Sequence, residues 1–396
     1  MITFKEAYQK VLEHTLDLGE EKVPLLQSMH RILAEDIAAD RDFPPFDRAT
    51  KDGIAIAFSD LINQNHTYAI EGDAAAGMPQ QILKKTEHCL EVMTGAVVPK
   101  NADTVVMYEH ISIANGKARI NEKVVKGQNI HYQGSDEKQG VTILKKGVVI
   151  SPAEIGVIAS VGKDFVKVKA LPKVCTISTG DELVDVGSTP APHQIRKSNS
   201  FTLQAALAQF NINAETIHLL DEKQVIEEGL TTALRRNDVL LLSGGVSKGK
   251  FDFIPEVMDA LGVEKIFHRV AQRPGKPFWF GIHRELKTVI FSFPGNPVST
   301  FANYHLYFLP WLRTSWGIPV VQEFAKLAVE MNITPPLTRF IQVKLAMRDA
   351  TLWATPVTEN GSGDLTSLAK ADGFICLEPR NSSYRMGELV RFVGTR

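Results

Sequence analysis

The chain has 396 residues, 44% of them hydrophobic, and sets 44 Lys plus Arg against 45 Asp plus Glu. That length and apolar share allow sizeable cores over about two to four domains. The balanced charge excludes a global field for nucleic acid or an anionic membrane, so any anion site must be local. The three cysteines, Cys89, Cys175 and Cys376, are far apart and outside any CxxC spacing. They argue against a disulfide framework and a zinc site, and for a reducing compartment. The N-terminal MITFKEAYQKVLEHTL lacks the apolar core of a signal peptide, and no apolar run approaches the ~18 residues of a membrane span. A soluble, cytoplasmic protein is expected.

Thr3 and Glu6 form a capping box ahead of Phe4, Ala7, Tyr8, Val11, Leu12 and Leu16, which fall on one helical face. From about Phe43 to Gly134 the pattern changes to short apolar runs between turn residues, such as IAIAF, LEVMTG, DTVVMYEH and KARI. These runs predict strands and a β-rich domain. A second capping box, Ser151 to Glu154, opens the helix IGVIAS, which Gly162 closes before KALPKV. Helical material therefore flanks the insert: a helical or linking domain at 1–43 and 137–170, with the β-rich insert at 44–136.

Between Lys173 and Trp316, buried runs alternate with helical patterns: VCTIS, FTLQAALAQF, ETIHLL, VIEEGLTTAL, DVLLLS, IPEVMDALG and VEKIFH, then PFWFG, TVIFSF and a helix through Tyr304 and Leu306. Such alternation predicts βαβ units around a mostly parallel, doubly wound sheet, at 171–316. The stretch 317–396, with RFIQVKLAM, LWATPVT and ELVRFV, has no helical period and predicts a small all-β domain.

A doubly wound sheet binds its ligand beyond the carboxyl ends of its strands, so the residues after each buried run matter most. VCTIS is followed by Thr179-Gly180-Asp181-Glu182-Leu183; DVLLL by Ser243-Gly244-Gly245-Val246-Ser247-Lys248-Gly249-Lys250-Phe251-Asp252; TVIFSF by Pro294-Gly295-Asn296-Pro297-Val298-Ser299. All three should converge on one edge. Glycines let backbone N–H groups approach a phosphate, a helix N-terminus adds positive potential, and the Ser243 and Ser247 hydroxyls add donors. Asp181, Glu182 and Asp252 would repel that phosphate unless a cation lies between them, and hard oxygen ligands point to Mg²⁺. Any one of these motifs alone reads equally well as a helix cap or a turn; three on one edge favour a site.

Two generic patterns overlap the same loop. Gly244 to Lys250 fits GxxxxGK, but Phe251 stands where a P-loop needs Ser or Thr. Gly245 to Gly249 fits GxSxG, but Ser243-Gly244 separate the strand from the serine, unlike a nucleophile elbow. His268 and His305 show no spacing that singles them out as catalytic partners. Arg273-Pro274-Gly275-Lys276-Pro277 sets two cations on a rigid turn, suited to a doubly charged oxyanion or simply to solvent.

Together these segments resemble the MoeA-type molybdopterin molybdenumtransferases, a family that includes the C-terminal domain of gephyrin. The resemblance spans nearly the whole chain: Lys51-Asp52-Gly53 with Ala55, Met93-Thr94-Gly95-Ala96 with Val98-Pro99, Gly127 to Ile130, Thr179 to Leu183, Ser243 to Asp252, Pro274 to Pro277, and Pro294 to Ser299.

The resemblance implies an elongated homodimer of four-domain chains: a helical segment, the β-rich insert, an α/β molybdopterin-binding domain and a C-terminal β-barrel. It implies insertion of molybdate into adenylylated molybdopterin with Mg²⁺ present and release of AMP. Glu182, Asp221 and Asp252, with Asp52 and Thr94, are the implied catalytic set, and Asp181, Glu182 and Asp252 the implied metal ligands. Asp136, Thr179, Gly180, Ser243, Gly244, Gly245, Ser247, Pro294, Asn296 and Pro297 would bind substrate, and Arg273, Lys276, Arg339 and Ser367 would hold molybdate. Partners would be the preceding molybdopterin adenylyltransferase and molybdoenzyme acceptors, with no nucleic acid and no membrane. The alternatives are adenylylation of molybdopterin itself, because the α/β domain also resembles that transferase, and a non-catalytic gephyrin-like scaffold. Three positions depart from the family pattern: Ile54 for an aromatic, Arg273 for Lys, and Asp372 for Asn. Arginine keeps the charge of lysine but changes its geometry.

Overall fold

The structure, a computed structural model, describes residues 1–62, 66–246, 253–333 and 337–396. The chain divides into two compact units, one of Met1–Glu21, His30–Ile32 and Val168–Arg396, the other of Lys22–Met29 and Leu33–Lys167. The first helix, α1 (Phe4–Leu12), begins where the capping box places it: the Glu6 amide donates to Thr3 Oγ1 at 3.2 Å, and the Thr3 amide to Glu6 Oε2 at 2.8 Å. Its Phe4, Ala7 and Val11 are buried.

The second unit is built on a six-stranded sheet. Its strands are β1 (Gly53–Ile56), β2 (Thr67–Ala74), β3 (His88–Val92), β4 (Thr104–Met107), β5 (Ile111–Ala114) and β6 (Lys117–Ile120). They lie in the order β4-β1-β3-β2-β6-β5, antiparallel except for β2 beside β3. Strand β1 is buried along its whole length, as its unbroken apolar run requires. Helix α2 (Pro152–Ser160) starts at the second capping box, with Pro152 in its first turn, and ends before Gly162 at φ +74°.

In the first unit the α/β portion runs β7 (Val174–Thr179), α3 (Asn199–Ala208), β8 (Glu215–Leu219), α4 (Lys223–Arg236), β9 (Val239–Ser243), α5 (Ile254–Ala260), β10 (Glu264–His268), β11 (Trp279–His283) and β12 (Thr288–Phe293). The sheet order is β8-β7-β9-β12-β11-β10; the first four are parallel and β11 is antiparallel to both its neighbours. β7, β9 and β12 are buried throughout because both sheet faces are covered. Successive side chains enter different cores: Val289, Phe291 and Phe293 join one with Leu203 and Trp311, while Ile290 joins the other with Leu230 and Val257. The first core is aromatic, with Phe278 and Tyr307 rings 4.7 Å apart and Phe291 edge-on to Trp311 at 5.6 Å. After β12, α6 (Pro297–Asn303) passes through a π-helical turn, Tyr304–Phe308, into α7 (Leu309–Ser315).

The remaining strands are β13 (Glu323–Leu327), β14 (Thr338–Arg348), β15 (Thr351–Pro356), β16 (Gly373–Leu377) and β17 (Leu389–Gly394). They pair in the ring β14-β15-β13-β17-β16, and β16 returns to β14, closing a five-stranded barrel. Val343, Ala354, Ile375, Leu377, Val390 and Phe392 fill it. The two-residue strand Gln272–Arg273 joins the barrel wall parallel to β14. No helix among the described residues is long and apolar enough to cross a membrane.

Candidate functional site

Four parallel strands end level with one another. Ser178 is in register with His218 on one side and Ser243 on the other, and Ser243 with Phe293. The next residues along the edge are Leu219, Thr179, Gly244 and Pro294, so the three loops singled out by sequence leave the sheet side by side. After β7 the chain moves to one side for β8 and then to the other for β9. This places the topological switch, where neighbouring loops diverge and a crevice opens, between β7 and β9. A cavity of about 660 Å³ lies there, with Thr179, Gly180, Glu182, Asp221, Ser243, Gly244, Gly245, Pro294, Asn296 and Pro297 among its lining residues.

Backbone bonds hold the loops together. The Gly244 amide donates to the Phe293 carbonyl at 3.1 Å and the Gly180 amide to Leu219 at 3.3 Å, while Asn199 Nδ2 donates to Gly295 at 2.7 Å. Asn296 Nδ2 reaches Ser362 Oγ at 2.9 Å and anchors the third loop to the barrel portion. Gly244 lies at φ +104°, and a Cβ there would stand 2.7 Å from Thr179 Oγ1 and 2.9 Å from the Thr179 carbonyl oxygen. Only glycine allows this approach. Thr179 Oγ1 is itself buried with no hydrogen-bond partner among the described residues. Buried hydroxyls are rarely left unpaired, and this one is packed against Gly244 and Gly245 beside the pocket.

Glu182 and Asp221 both line the pocket. Asp181 stands behind Asp221, its Oδ1 accepting the Asp221 amide at 3.0 Å. Ser247 and Asp252 lie outside the described residues. Among the described residues no group of three or more His, Cys, Asp or Glu side chains is placed to hold a metal by itself. The sequence reading missed Arg196, Lys197 and Asn199, which also line the cavity. A basic pair followed by Ser-Asn-Ser at a helix start was the available signal. Lys197 pairs with Asp185 at 2.7 Å and holds that carboxyl below its usual range.

The two-cation turn reaches this pocket through Pro277, but neither Arg273 nor Lys276 is among its lining residues. Arg273 instead lies in register with Arg339 of β14, and burial followed by Arg273's charge lowers the pKa of the Arg339 guanidinium. Lys276 is exposed on the same turn. Ser367 is fully buried, its hydroxyl donating to the Asp364 carbonyl at 2.6 Å and accepting from Gln342 Nε2 at 2.8 Å.

Asp52, Thr94 and Asp136 belong to the second unit. Asp52 Oδ1 accepts the Thr94 amide at 2.6 Å and the Thr94 hydroxyl at 2.7 Å, and these two bonds hold its carboxyl below the usual range. Asp136 Oδ1 is 2.7 Å from His131 Nε2, and His131 Nδ1 is 3.0 Å from an Arg48 Nη. Neither Arg48 nor His131 was singled out by sequence. Thr94→Val removes the hydroxyl donor and leaves the amide, so the Asp52 pKa is expected to move part of the way back up. The stabilisation from this lowered carboxyl is present above its unfolded pKa of ~4 and lost as pH falls through the folded value, so any stability gap between wild type and variant at about pH 7 should narrow below about pH 4. Carboxyl NMR titration checks this; an unmoved Asp52 curve refutes it.

Fold and pocket together define a multidomain α/β protein with a glycine-lined cleft at the switch point of its sheet and a closed β-barrel beyond it. Three family profiles match in succession: the MoeA N-terminal region (domain I and II) at residues 2–162, a probable molybdopterin-binding domain at 175–314, and the MoeA C-terminal region (domain IV) at 325–393. A molybdopterin molybdenumtransferase of Synechocystis sp. is 39% identical over 396 residues, covering 99% of each chain. One of Staphylococcus aureus is 31% identical over 408 residues, covering 100% of this chain and 96% of that one. The crystal structure of a molybdopterin biosynthesis MoeA protein from Pyrococcus horikoshii OT3 superposes with a TM-score of 0.82 at 28% identity, over 100% of both chains. The chain belongs to the molybdopterin molybdenumtransferase family, transferases of molybdenum cofactor biosynthesis.

Proposed function

We propose that the protein inserts molybdate into adenylylated molybdopterin in the presence of Mg²⁺ and releases AMP. The observation that carries this reading is the switch-point pocket, lined together by Gly180, Gly244, Gly245, Thr179, Glu182 and Asp221. Backbone N–H groups and hydroxyls cradle phosphate oxygens, while two carboxylates facing that phosphate require a cation between them. The donor set fits Mg²⁺, which is bound by one or two carboxylates plus substrate phosphates rather than by an all-protein cage. Glu182 and Asp221 would hold it, with Asp181 fixing Asp221 and Asp252 as a further ligand. When bound, the ion neutralises charge developing on the cleaved phosphoanhydride.

The chain's own residues do the positioning. Gly244 and Gly245 let the backbone close on the phosphate, Ser243 and Ser247 donate to it, and Asn296 orders the third loop. Arg273 and Arg339, neighbours across the barrel seam, form the doubly cationic patch for molybdate with Lys276 and Ser367. Asp52, Thr94 and Asp136 contribute to substrate handling through the bonds described above. The balanced charge and lack of a membrane-length apolar helix among the described residues support a cytoplasmic enzyme. It would work as a homodimer between a molybdopterin adenylyltransferase and molybdoenzyme acceptors. Mixing the purified protein with adenylylated molybdopterin, Mg²⁺ and molybdate is expected to release AMP only when molybdate is present. Molybdate-independent release, or none, overturns the proposal.

A further inference from the structure

A second cavity, of about 200 Å³, lies where α7 meets β17 and the segment entering β13. His305 lines it from the π-helical turn. A π turn inserts one residue into the helical repeat, and such turns recur at functional positions. The His305 side chain is only 6% exposed, held edge-on against Phe301 and Tyr304, and neither ring nitrogen has a hydrogen-bond partner among the described residues. A buried, wholly unsatisfied imidazole in a polar cavity calls for a bound group. Burial, with Arg313 nearby, pushes its pKa down to about 4, so at neutral pH it presents one N–H and one acceptor.

The other lining groups define that group's charge. Arg313 of α7 and Arg391 of β17 both face the cavity, and neither forms an ion pair among the described residues. Arg391 is braced instead by the rings of Phe4 and Tyr8, 5.9 and 5.4 Å away. Arg396 also lines the cavity, but its guanidinium is turned to the Ala369 carbonyl at 2.6 Å, and among the described residues Glu323 is the one acidic lining group. Two guanidinium groups, of Arg313 and Arg391, against one carboxylate leave the cavity cationic.

We propose that this cavity is a separate binding site for a phosphate dianion, either inorganic phosphate or a small phosphomonoester. Donors arrive from three elements, α7, β17 and the π turn, which suits a tetrahedral oxyanion better than a planar carboxylate. The volume is several times the ~30 Å³ share of one water in the liquid, enough for a phosphate group with a short substituent.

The test is ¹⁵N-histidine NMR of the full chain titrated with inorganic phosphate, the His305 signal being assigned from its loss in His305→Gln. A saturable shift of that signal is expected, weakened about ten-fold or more in Arg313→Gln and in Arg391→Gln. Glycerol phosphate and succinate form the comparison arms: tighter binding of glycerol phosphate indicates the monoester as occupant. A His305 signal unmoved by phosphate, or moved only by succinate, overturns the proposal. Should His305→Gln not fold, calorimetry decides: the arginine variants must lose one class of phosphate site and retain the one in the switch-point pocket. Wild-type titration curves in both variants overturn it equally.

Discussion

Gly244→Ala is expected to abolish substrate binding at the switch-point pocket and to destabilise the protein. Alanine at φ +104° carries a backbone strain of about 1–3 kcal/mol. Its Cβ would also press to within 2.9 Å of the Thr179 carbonyl oxygen, a backbone atom held in β7 between β8 and β9. Relief therefore means moving the Gly244 amide away from Phe293 and widening the cradle. Molybdate-dependent AMP release should fall below detection, with a lowered Tm by calorimetry. A variant that keeps wild-type turnover would show that this loop does not carry the phosphate.

Glu182→Gln separates charge from shape. Glu182 is exposed on the pocket rim, and its carboxylate folds back over Gly180, where a Cβ would meet Oε2 at 2.4 Å. The amide retains the size and removes the negative charge that Mg²⁺ needs. Turnover should drop on the order of 10²-fold, as for loss of one preorganised electrostatic group. Folding stability should stay within about 0.5 kcal/mol, as for most exposed substitutions. Steady-state AMP release across a Mg²⁺ series, with a thermal melt on the same sample, measures both. Unchanged kcat at every Mg²⁺ level would remove Glu182 from the reaction.

Much of the local architecture was readable in the linear chain because its causes are local. The Thr3–Glu6 and Ser151–Glu154 capping boxes start helices through bonds that span three residues. The short, mostly apolar runs at 174–179, 239–243 and 288–293 are buried central strands, and the described residues of the motifs after them lie along one sheet edge. Arg196, Lys197 and Asn199 went unrecognised as pocket residues because they lie around the start of α3 rather than after one of the long buried runs. Arg48 was missed because it meets His131, the neighbour of Asp136, from 83 residues away in the chain, and His131 carries no signal of its own without that partner.

Caps, periodicity and glycine turns act over a few residues, so composition and spacing settle where helices, strands and phosphate-type loops begin and end. Register and closure depend on contacts over long separations. These placed Ser178 level with Ser243 and Phe293, set Arg273 beside Arg339, shut the barrel through β16 and β14, and left Thr179 Oγ1 and both His305 nitrogens buried without partners among the described residues. No local preference encodes such pairings, because they arise only when surfaces distant in the chain exclude water together.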